Sequence, residues 1–209
     1  MRILLAGLFL LLSLSVQADE YLKLYQVAGW PQQRANFTQA LEAAQLRYRD
    51  TLPPALYQTL VDSSNRRFAA QAMDQRALDG LRSNLTNPEP ALQFFKGEVD
   101  SKIVTDDIHA SRGDQLAIYS KGLPRSEAGA ERRQLISELG KALPASEVGA
   151  EVGLALASVA ADSLSEMLPG VLGADQTQGV IDSQRERLQQ QISSDLDNTL
   201  LHIYRNLSD

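Results

Sequence analysis

"VGAEVGLALASVAA", residues 148–161, is the most apolar stretch of the chain outside the N-terminus. Small residues recur through it at every fourth position, and this seam consists of Ala145, Gly149, Gly153, Ala157 and Ala161. On an α-helix such positions drift by only ~40° per step and form one narrow stripe. Because small residues let a neighbouring helix approach closely, the seam predicts a central core helix in a helical bundle.

The same stretch is too short to be a membrane span. Only ten uncharged residues separate Glu151 from Asp162, half of the roughly 20 that a spanning helix needs. Close packing of small residues also occurs without lipid. An interface or a membrane contact remains as the alternative to a core helix.

The rest of the chain is typical of an all-α protein. Strand-like alternation is scarce, while Ala, Leu, Gln, Glu and Arg fill long segments that Pro and Gly interrupt. We expect an irregular helical bundle of about six to eight helices in a single domain over residues 19–209.

The turn residues predict where several helices begin and end. A first helix should end at Gly29, and residues 51–73 are expected to form one helix. Residues 86–122 are expected to contain either one long helix or two helices with a break near Arg112 and Gly113. The expected N-cap residues are Thr51, Asn87 and Ser146.

Composition and charge disfavour several classes of protein. With 44% hydrophobic and 22% charged residues, the chain of 209 residues is typical of a globular protein rather than a disordered one. Its formal net charge of -6 disfavours general nucleic-acid binding, because an acidic surface repels the phosphate backbone. The absence of cysteine excludes disulfides, a thiol nucleophile, thiolate metal ligands and a lipoprotein attachment site.

The N-terminus has the pattern of a secretory signal peptide. Arg2 precedes the twelve-residue apolar run "ILLAGLFLLLSL", and Val16 and Ala18 occupy the two positions that a signal peptidase reads. We therefore expect residues 1–18 to be removed by cleavage after Ala18. An uncleaved anchor is the alternative, but the run is short for ~30 Å of hydrocarbon. The expected destination is the periplasm of a Gram-negative bacterium, or the medium.

Two helix ends share a similar sequence. "RSNLTN", residues 82–87, precedes a further helix, and "YRNLSD", residues 204–209, stands at the end of the chain. The similarity has three explanations: a weak internal repeat, a chain shortened before a final helix, or coincidence between common capping residues.

The stretch "ALQFFKGEVDSKI", residues 91–103, resembles a segment of a bacterial exported family, the domain of unknown function 2059. That family has an apolar helix with a Phe-Tyr or Phe-Phe pair, a turn of the type S-P-x-G, then Lys or Arg and an apolar residue. The corresponding residues here are Phe94, Phe95, Lys96, Gly97, Glu98, Ser101, Lys102 and Ile103. Glu98 replaces the proline of the turn, and Asp100 replaces its glycine.

The motif "YRNLSD" also resembles the helix start that precedes this segment in the same family. The resemblance extends over about a quarter of the chain. It implies a helical, exported protein whose biochemistry is unassigned.

Catalytic chemistry has one candidate, in "TDDIHASRGD". Asp106 and His109 share a helix face at i, i+3, and a carboxylate beside an imidazole can bind a metal or transfer a proton. Two ligands do not make a site, and the other histidine, His202, lies between Leu201 and Ile203 on an apolar helix face. We interpret Asp106 and His109 as a solvated polar face.

No catalytic, cofactor-binding or metal-binding residue is assigned from the sequence. The motifs G-x-S-x-G, H-E-x-x-H and G-x-G-x-x-G are absent, as is a P-loop. The favoured hypothesis is a non-catalytic helical module of the bacterial envelope that binds a protein partner or forms a homo-oligomer, with no cofactor. A carrier or sensor of an apolar ligand in an inter-helix cavity is one alternative. A hydrolase or metal-dependent enzyme that uses Asp106 and His109 is the other.

The signal-peptide hypothesis predicts the mass of the exported protein. Expression of the full chain in a Gram-negative host should yield a periplasmic product whose intact mass is that of residues 19–209. Replacement of Ala18 by Arg should block processing, because a large charged side chain does not fit the position before the cleavage site. A wild-type product that retains residues 1–18 would contradict the hypothesis.

Overall fold

The computed structural model describes residues 20–119, 121–151, 154 and 174–207, and for residues 174–182 it describes the backbone alone. The predicted signal peptide lies outside these residues. So do three of the five seam positions, Gly153, Ala157 and Ala161.

Helices make up the regular structure of the described residues, among which no strand occurs. In chain order they are α1 (20–27), α2 (Trp30–Tyr48), α3 (Pro54–Arg67), α4 (Ala70–Asn84), α5 (Glu89–Phe94), α6 (Glu98–Ala110), α7 (Gly113–Tyr119), α8 (Ala130–Ala142), α9 (145–151) and α10 (Ala174–Ile203). The all-α class predicted from the sequence is confirmed. No helix formed by the described residues is both long and apolar enough to cross a lipid bilayer.

The helices form two compact units. The first unit takes its described residues from Met1–Thr38 and Ala69–Arg112, and the second takes them from Gln39–Phe68 and Gly113–Asp209. Each unit thus combines two separate stretches of the chain. The single-domain organisation expected from the sequence stays a prediction.

The first unit is organised around one face of α1. The buried residues Tyr21, Leu24, Tyr25 and Ala28 recur at i, i+3, i+4 and i+7, the spacing of a helix stripe that faces a core. The hydroxyl of Tyr21 donates a 2.7 Å hydrogen bond to the carbonyl oxygen of Leu85, the residue that ends α4. This bond satisfies a carbonyl that the helix itself leaves without a partner.

Gly29 makes the turn from α1 into α2. Its φ of +75° lies in the left-handed region, which favours glycine because a Cβ atom would clash there. The packing adds a second requirement, since a Cβ at this position would stand 2.7 Å from Val104 Cγ1 and 2.8 Å from Ile108 Cδ1 of α6. In the second turn of α2, the side-chain amide of Asn36 donates a 2.9 Å hydrogen bond to the carbonyl of Ile108.

In the second unit, α8 packs against α10. Ile136, Leu200 and Leu201 are buried, and Gly140 faces α10, where a Cβ would lie 3.2 Å from Asp197 Oδ1 and 3.4 Å from Leu196 Cδ2. Arg132, in the first turn of α8, donates hydrogen bonds of 2.7 and 3.0 Å to two carbonyl oxygens, those of Tyr204 and Leu207. A cationic guanidinium therefore caps the negative end of the α10 dipole.

The described part of the seam makes a close helix contact. A Cβ on Gly149 would stand 2.9 Å from Ile192 Cδ1, so α9 and α10 approach each other at this glycine. The fully buried positions are the neighbouring Ala150 and Leu154, which are 0% and 5% exposed. Val148 is 56% exposed, so one side of α9 faces solvent.

The segment between α2 and α4 differs from the sequence prediction. Residues 51–73 do not form one helix, because the backbone leaves the α region at Phe68 (φ -108°, ψ 28°) between α3 and α4. Thr51 does not cap α3, since its hydroxyl donates to the carbonyl of Tyr48. A buried hydrogen bond fixes α3 against α2 instead, in which the amide of Gln45 donates to Ser64 Oγ at 2.5 Å.

Two further predicted caps have different outcomes. The N-cap of α5 is Pro88 rather than Asn87, although Asn87 Oδ1, one residue earlier, accepts the backbone N–H of Glu89 at 3.0 Å. Ser146 lies inside α9 rather than before it, and its hydroxyl donates to Glu147 at 2.9 Å. Residues 86–122 do not form one long helix, since the break near Arg112 and Gly113 is present between α6 and α7, and a second break that the sequence did not predict, at residues 95–97, separates α5 from α6.

The Gly29 geometry predicts a large effect of a single methyl group. Gly29→Ala should lower the free energy of unfolding by about 2–5 kcal/mol, because a positive φ costs a non-glycine residue about 1–2 kcal/mol and overpacking adds about 1–3 kcal/mol. Urea unfolding followed by circular dichroism measures the change.

Gly80→Ala is the matched control. Gly80 lies within α4, and a Cβ there would meet no atom within 4 Å. This variant should gain about 0.5–1 kcal/mol from the higher helix propensity of alanine. Equal effects of the two substitutions would contradict the role assigned to Gly29.

Candidate functional site

The two residues of the candidate catalytic pair, Asp106 and His109, lie on the same helix, α6. His109 is exposed and Asp106 is half-buried, and no hydrogen bond or ion pair joins them among the described residues. The carboxylate oxygen Oδ2 of Asp106 is buried and has no hydrogen-bond partner there. Within the described part of the chain, no three His, Asp or Glu side chains converge as a metal site requires.

His202 belongs to a small cluster near the end of α10. Its ring meets that of Tyr119 edge-on at a centroid distance of 5.8 Å, and its Nε2 lies 2.9 Å from a guanidinium nitrogen of Arg205. Burial, followed by the charge of Arg205, lowers the pKa of His202 below its usual value. The arrangement suits a neutral imidazole that accepts a hydrogen bond from Arg205.

Two large apolar side chains are exposed where α5 meets α6. Phe94 is 54% exposed and Val99 is 58% exposed, on either side of the turn at Gly97. The ring of Phe94 contacts Phe95 edge-on at 5.2 Å. We call residues 94–99 the α5–α6 tip.

A polar groove lies between α9 and α10. The groove is wide open to solvent and has a volume of about 510 Å³, and its lining consists of Ser146, Glu147, Glu186, Gln189, Gln190, Ser193 and Ser194. Every lining side chain is a hydroxyl, a carboxamide or a carboxylate. The close contact between Gly149 and Ile192 fixes the two helices beside it.

The groove carries negative charge. A backbone hydrogen bond, followed by the hydroxyl of Ser146, holds the pKa of Glu147 below its usual value, so its carboxylate is ionised at neutral pH. The nearby cation Arg185 forms an ion pair of 2.7 Å with Glu151 on α9. No lysine or arginine lines the groove.

The sequence analysis missed this groove, although α10 contains a pattern that indicates one wall of it. Glu186, Gln189, Gln190, Ser193 and Ser194 recur at i, i+3, i+4, i+7 and i+8, the spacing of one helix face. The opposite wall, Ser146 and Glu147, is about 40 residues away in the sequence and comes into place through the contact of α9 with α10.

Comparison with known proteins identifies no relative. No family model, no curated protein and no solved structure matches this chain.

The environment of His202 predicts a pH-dependent stability. Because the folded-state pKa is lowered, the folded protein binds fewer protons than the unfolded chain between that value and the ordinary imidazole value of about 6.5. The contribution of His202 to stability is therefore present above about pH 6.5 and is lost as the pH falls through the folded-state pKa.

Urea unfolding of the wild type and of His202→Gln at about pH 7.5 and about pH 5.5 measures this contribution. The wild type should lose more stability on acidification than the variant. His109→Gln removes the other histidine and should retain the wild-type dependence. An identical loss in wild type and His202→Gln would contradict the assignment.

Proposed function

We propose that this chain is an exported, non-catalytic helical module of the bacterial envelope that acts through protein–protein contact. Its contact surface in this proposal is the α5–α6 tip, and the partner is a second copy of the same chain. The observation that carries the proposal is the exposure of Phe94 and Val99, both more than half accessible, within six residues of each other.

Export is supported by the sequence of the N-terminus. The basic residue, the apolar run and the small residues before Asp19 follow the order of a cleavable signal peptide. The absence of cysteine suits a protein that folds in an oxidising compartment without disulfides. The resemblance of residues 91–103 to the exported family of domain of unknown function 2059 points in the same direction.

The charges around the tip favour a second copy over a membrane surface. Lys96 is flanked by Glu98, which forms a 3.0 Å ion pair with Lys102, and by Asp100, whose carboxylate lies against Gly97. An anionic lipid surface would be repelled by these acids and by the net charge of -6. A two-fold contact places the tip against itself, so that the apolar side chains meet and Lys96 of each copy meets acids of the other.

The remaining hypotheses receive less support from the described residues. A carrier of apolar ligands needs an apolar cavity, whereas the groove between α9 and α10 has a polar lining. An enzyme that uses Asp106 and His109 needs these two groups to act on one reacting atom, and His109 faces solvent without a bond to Asp106.

Sedimentation velocity at concentrations from about 10 µM to about 1 mM tests the proposal, since two small apolar patches support only weak association. The sedimentation coefficient of the wild type should rise with concentration. Phe94→Ser should weaken dimerisation at least about tenfold, because each dimer then buries two phenylalanine side chains fewer.

Leu116→Ser is the matched control, because Leu116 is 44% exposed on α7 and is not one of the tip residues 94–99. This variant should associate as the wild type does. A wild-type chain that stays monomeric over the whole range contradicts the proposal, and so does an equal effect of both substitutions. Far-UV circular dichroism verifies that each variant is folded.

A further inference from the structure

We propose that the loop between α7 and α8 binds the active site of a trypsin-like serine protease and inhibits it, with Arg125 in the acidic specificity pocket of the enzyme. We call residues 122–129 the α7–α8 loop. This site uses none of the residues of the α5–α6 tip and does not depend on self-association. Three properties of the loop support the proposal: its extended backbone, its attachment to α10 and the exposure of Arg125.

The α7–α8 loop is extended around Arg125. Residues 122–129 form no regular secondary structure. A proline fixes φ near -65° and disfavours the helical region for the residue before it, so Leu123 and Pro124 favour an extended backbone locally. Gly129, where α8 begins, is also extended, with φ -60° and ψ 161°. An extended peptide offers its main-chain groups to a binding cleft in the same way as a strand offers them to a sheet.

The side chain of Asn198 on α10 holds the backbone on both sides of Arg125. Its Nδ2 donates a 3.2 Å hydrogen bond to the carbonyl of Pro124, and its Oδ1 accepts the backbone N–H of Ser126 at 2.9 Å. In an extended chain, a carbonyl and the N–H two residues later point to the same side, and the groups of the residue between them point to the other. The N–H and carbonyl of Arg125 therefore point away from Asn198, and neither bonds to another described residue. They stay available to a protease, which binds such a carbonyl oxygen in its oxyanion hole.

Two further contacts attach the ends of the loop to α10. Before the loop, the ring of Tyr119 at the end of α7 meets that of His202 edge-on. After the loop, Arg132 in the first turn of α8 donates hydrogen bonds to the carbonyls of Tyr204 and Leu207. The loop is thus attached to one helix before, within and after its extended stretch. Fixing the bound conformation in advance lowers the entropy cost of binding, and the backbone of protease inhibitors changes little when they bind.

The side chain of Arg125 suits the specificity pocket. It is exposed, and its guanidinium forms no hydrogen bond or ion pair with another described residue. A trypsin-like protease carries an aspartate in this pocket, and a guanidinium pairs with a carboxylate through two parallel hydrogen bonds. The neighbouring Gly122, Pro124 and Glu127 are exposed as well, so a protease reaches this part of the loop from the solvent.

The attachment to Asn198 favours inhibition over turnover. In the first step of cleavage, the serine oxygen of the protease bonds to the carbonyl carbon of Arg125. The bond to the nitrogen of Ser126 breaks, and the catalytic histidine delivers the serine proton to that nitrogen. The amine of a free peptide then diffuses away, and water hydrolyses the ester. Here Asn198 and α8 hold the amine of Ser126 beside the ester, so the peptide bond re-forms faster than water attacks.

Inhibition of trypsin by the full chain, measured with a chromogenic arginine amide, tests the proposal. We expect competitive inhibition with a constant below about 10 µM, since the loop is held in its bound conformation. Arg125→Ala should raise this constant at least about thirtyfold, because an arginine in a fully desolvated pocket is typical of an interface hot spot. Absence of inhibition by the wild type at about 100 µM would overturn the proposal, and so would equal inhibition by Arg125→Ala.

Lys121→Ala is the matched control. Lys121 is the other exposed cation beside the loop, but it precedes the turn at Gly122, whose φ is +82°, and so lies outside the extended stretch. This variant should inhibit trypsin as the wild type does, and a loss equal to that of Arg125→Ala would show a general charge effect and refute the site. Arg125→Phe should lose inhibition of trypsin and inhibit chymotrypsin instead, because the pocket of chymotrypsin is apolar. Loss of both activities in this folded variant would also count against the site.

Asn198→Ala tests the role of Asn198 as a positioning residue. Alanine has a high helix propensity, so α10 should be retained. Without the two hydrogen bonds the inhibition constant should rise about tenfold, and mass spectrometry should detect faster cleavage after Arg125. The wild type should be cleaved far more slowly than a synthetic peptide of residues 121–131. Equal rates of cleavage would make the loop an ordinary substrate, and the proposal would be wrong.

Discussion

The carboxylate of Asp74 on α4 accepts a 2.5 Å hydrogen bond from the hydroxyl of Tyr25 on α1 and lies 2.6 Å from Arg34 Nε on α2. Three helices of the first unit therefore meet at one partly buried charge. The N–H of Arg34 is not aimed at the carboxylate oxygen, so this contact is an ion pair rather than a directed hydrogen bond. Burial, followed by the hydrogen bond to Asp74, raises the pKa of Tyr25. Removing one of these three side chains would leave a polar group of the first unit without its hydrogen-bond or ion-pair partner. The resulting loss of stability is larger than the net stability that the contact contributes.

The elements that the sequence predicted well are those whose boundaries depend on a local backbone requirement. Gly29 ends α1 because a positive φ suits glycine, and the break between α6 and α7 falls where Gly113 follows Arg112. The break at Phe68 has no such residue, since "RRFAAQ" continues a helical pattern through it. Here packing overrides local propensity, and one sequence does not reveal that.

The same distinction between local signals and tertiary packing applies to the candidate sites. The five polar residues of α10 share one helix face, which periodicity alone can identify. Ser146 and Glu147 form the other wall of the groove. Only the tertiary contact at Gly149 brings this wall opposite the polar face of α10. The exposure of Phe94 was equally hidden, because an apolar pair in a helix is more often buried than exposed.

The division of each unit between two stretches of the chain has a consequence for biosynthesis. Asn36 of α2 finds its acceptor, the carbonyl of Ile108, only 72 residues later in the sequence. At translation rates of ~5–20 residues per second, the second partner follows the first by about 4–14 s. During that interval Asn36 lacks its acceptor, and neither unit can close before its second stretch of chain has been synthesised.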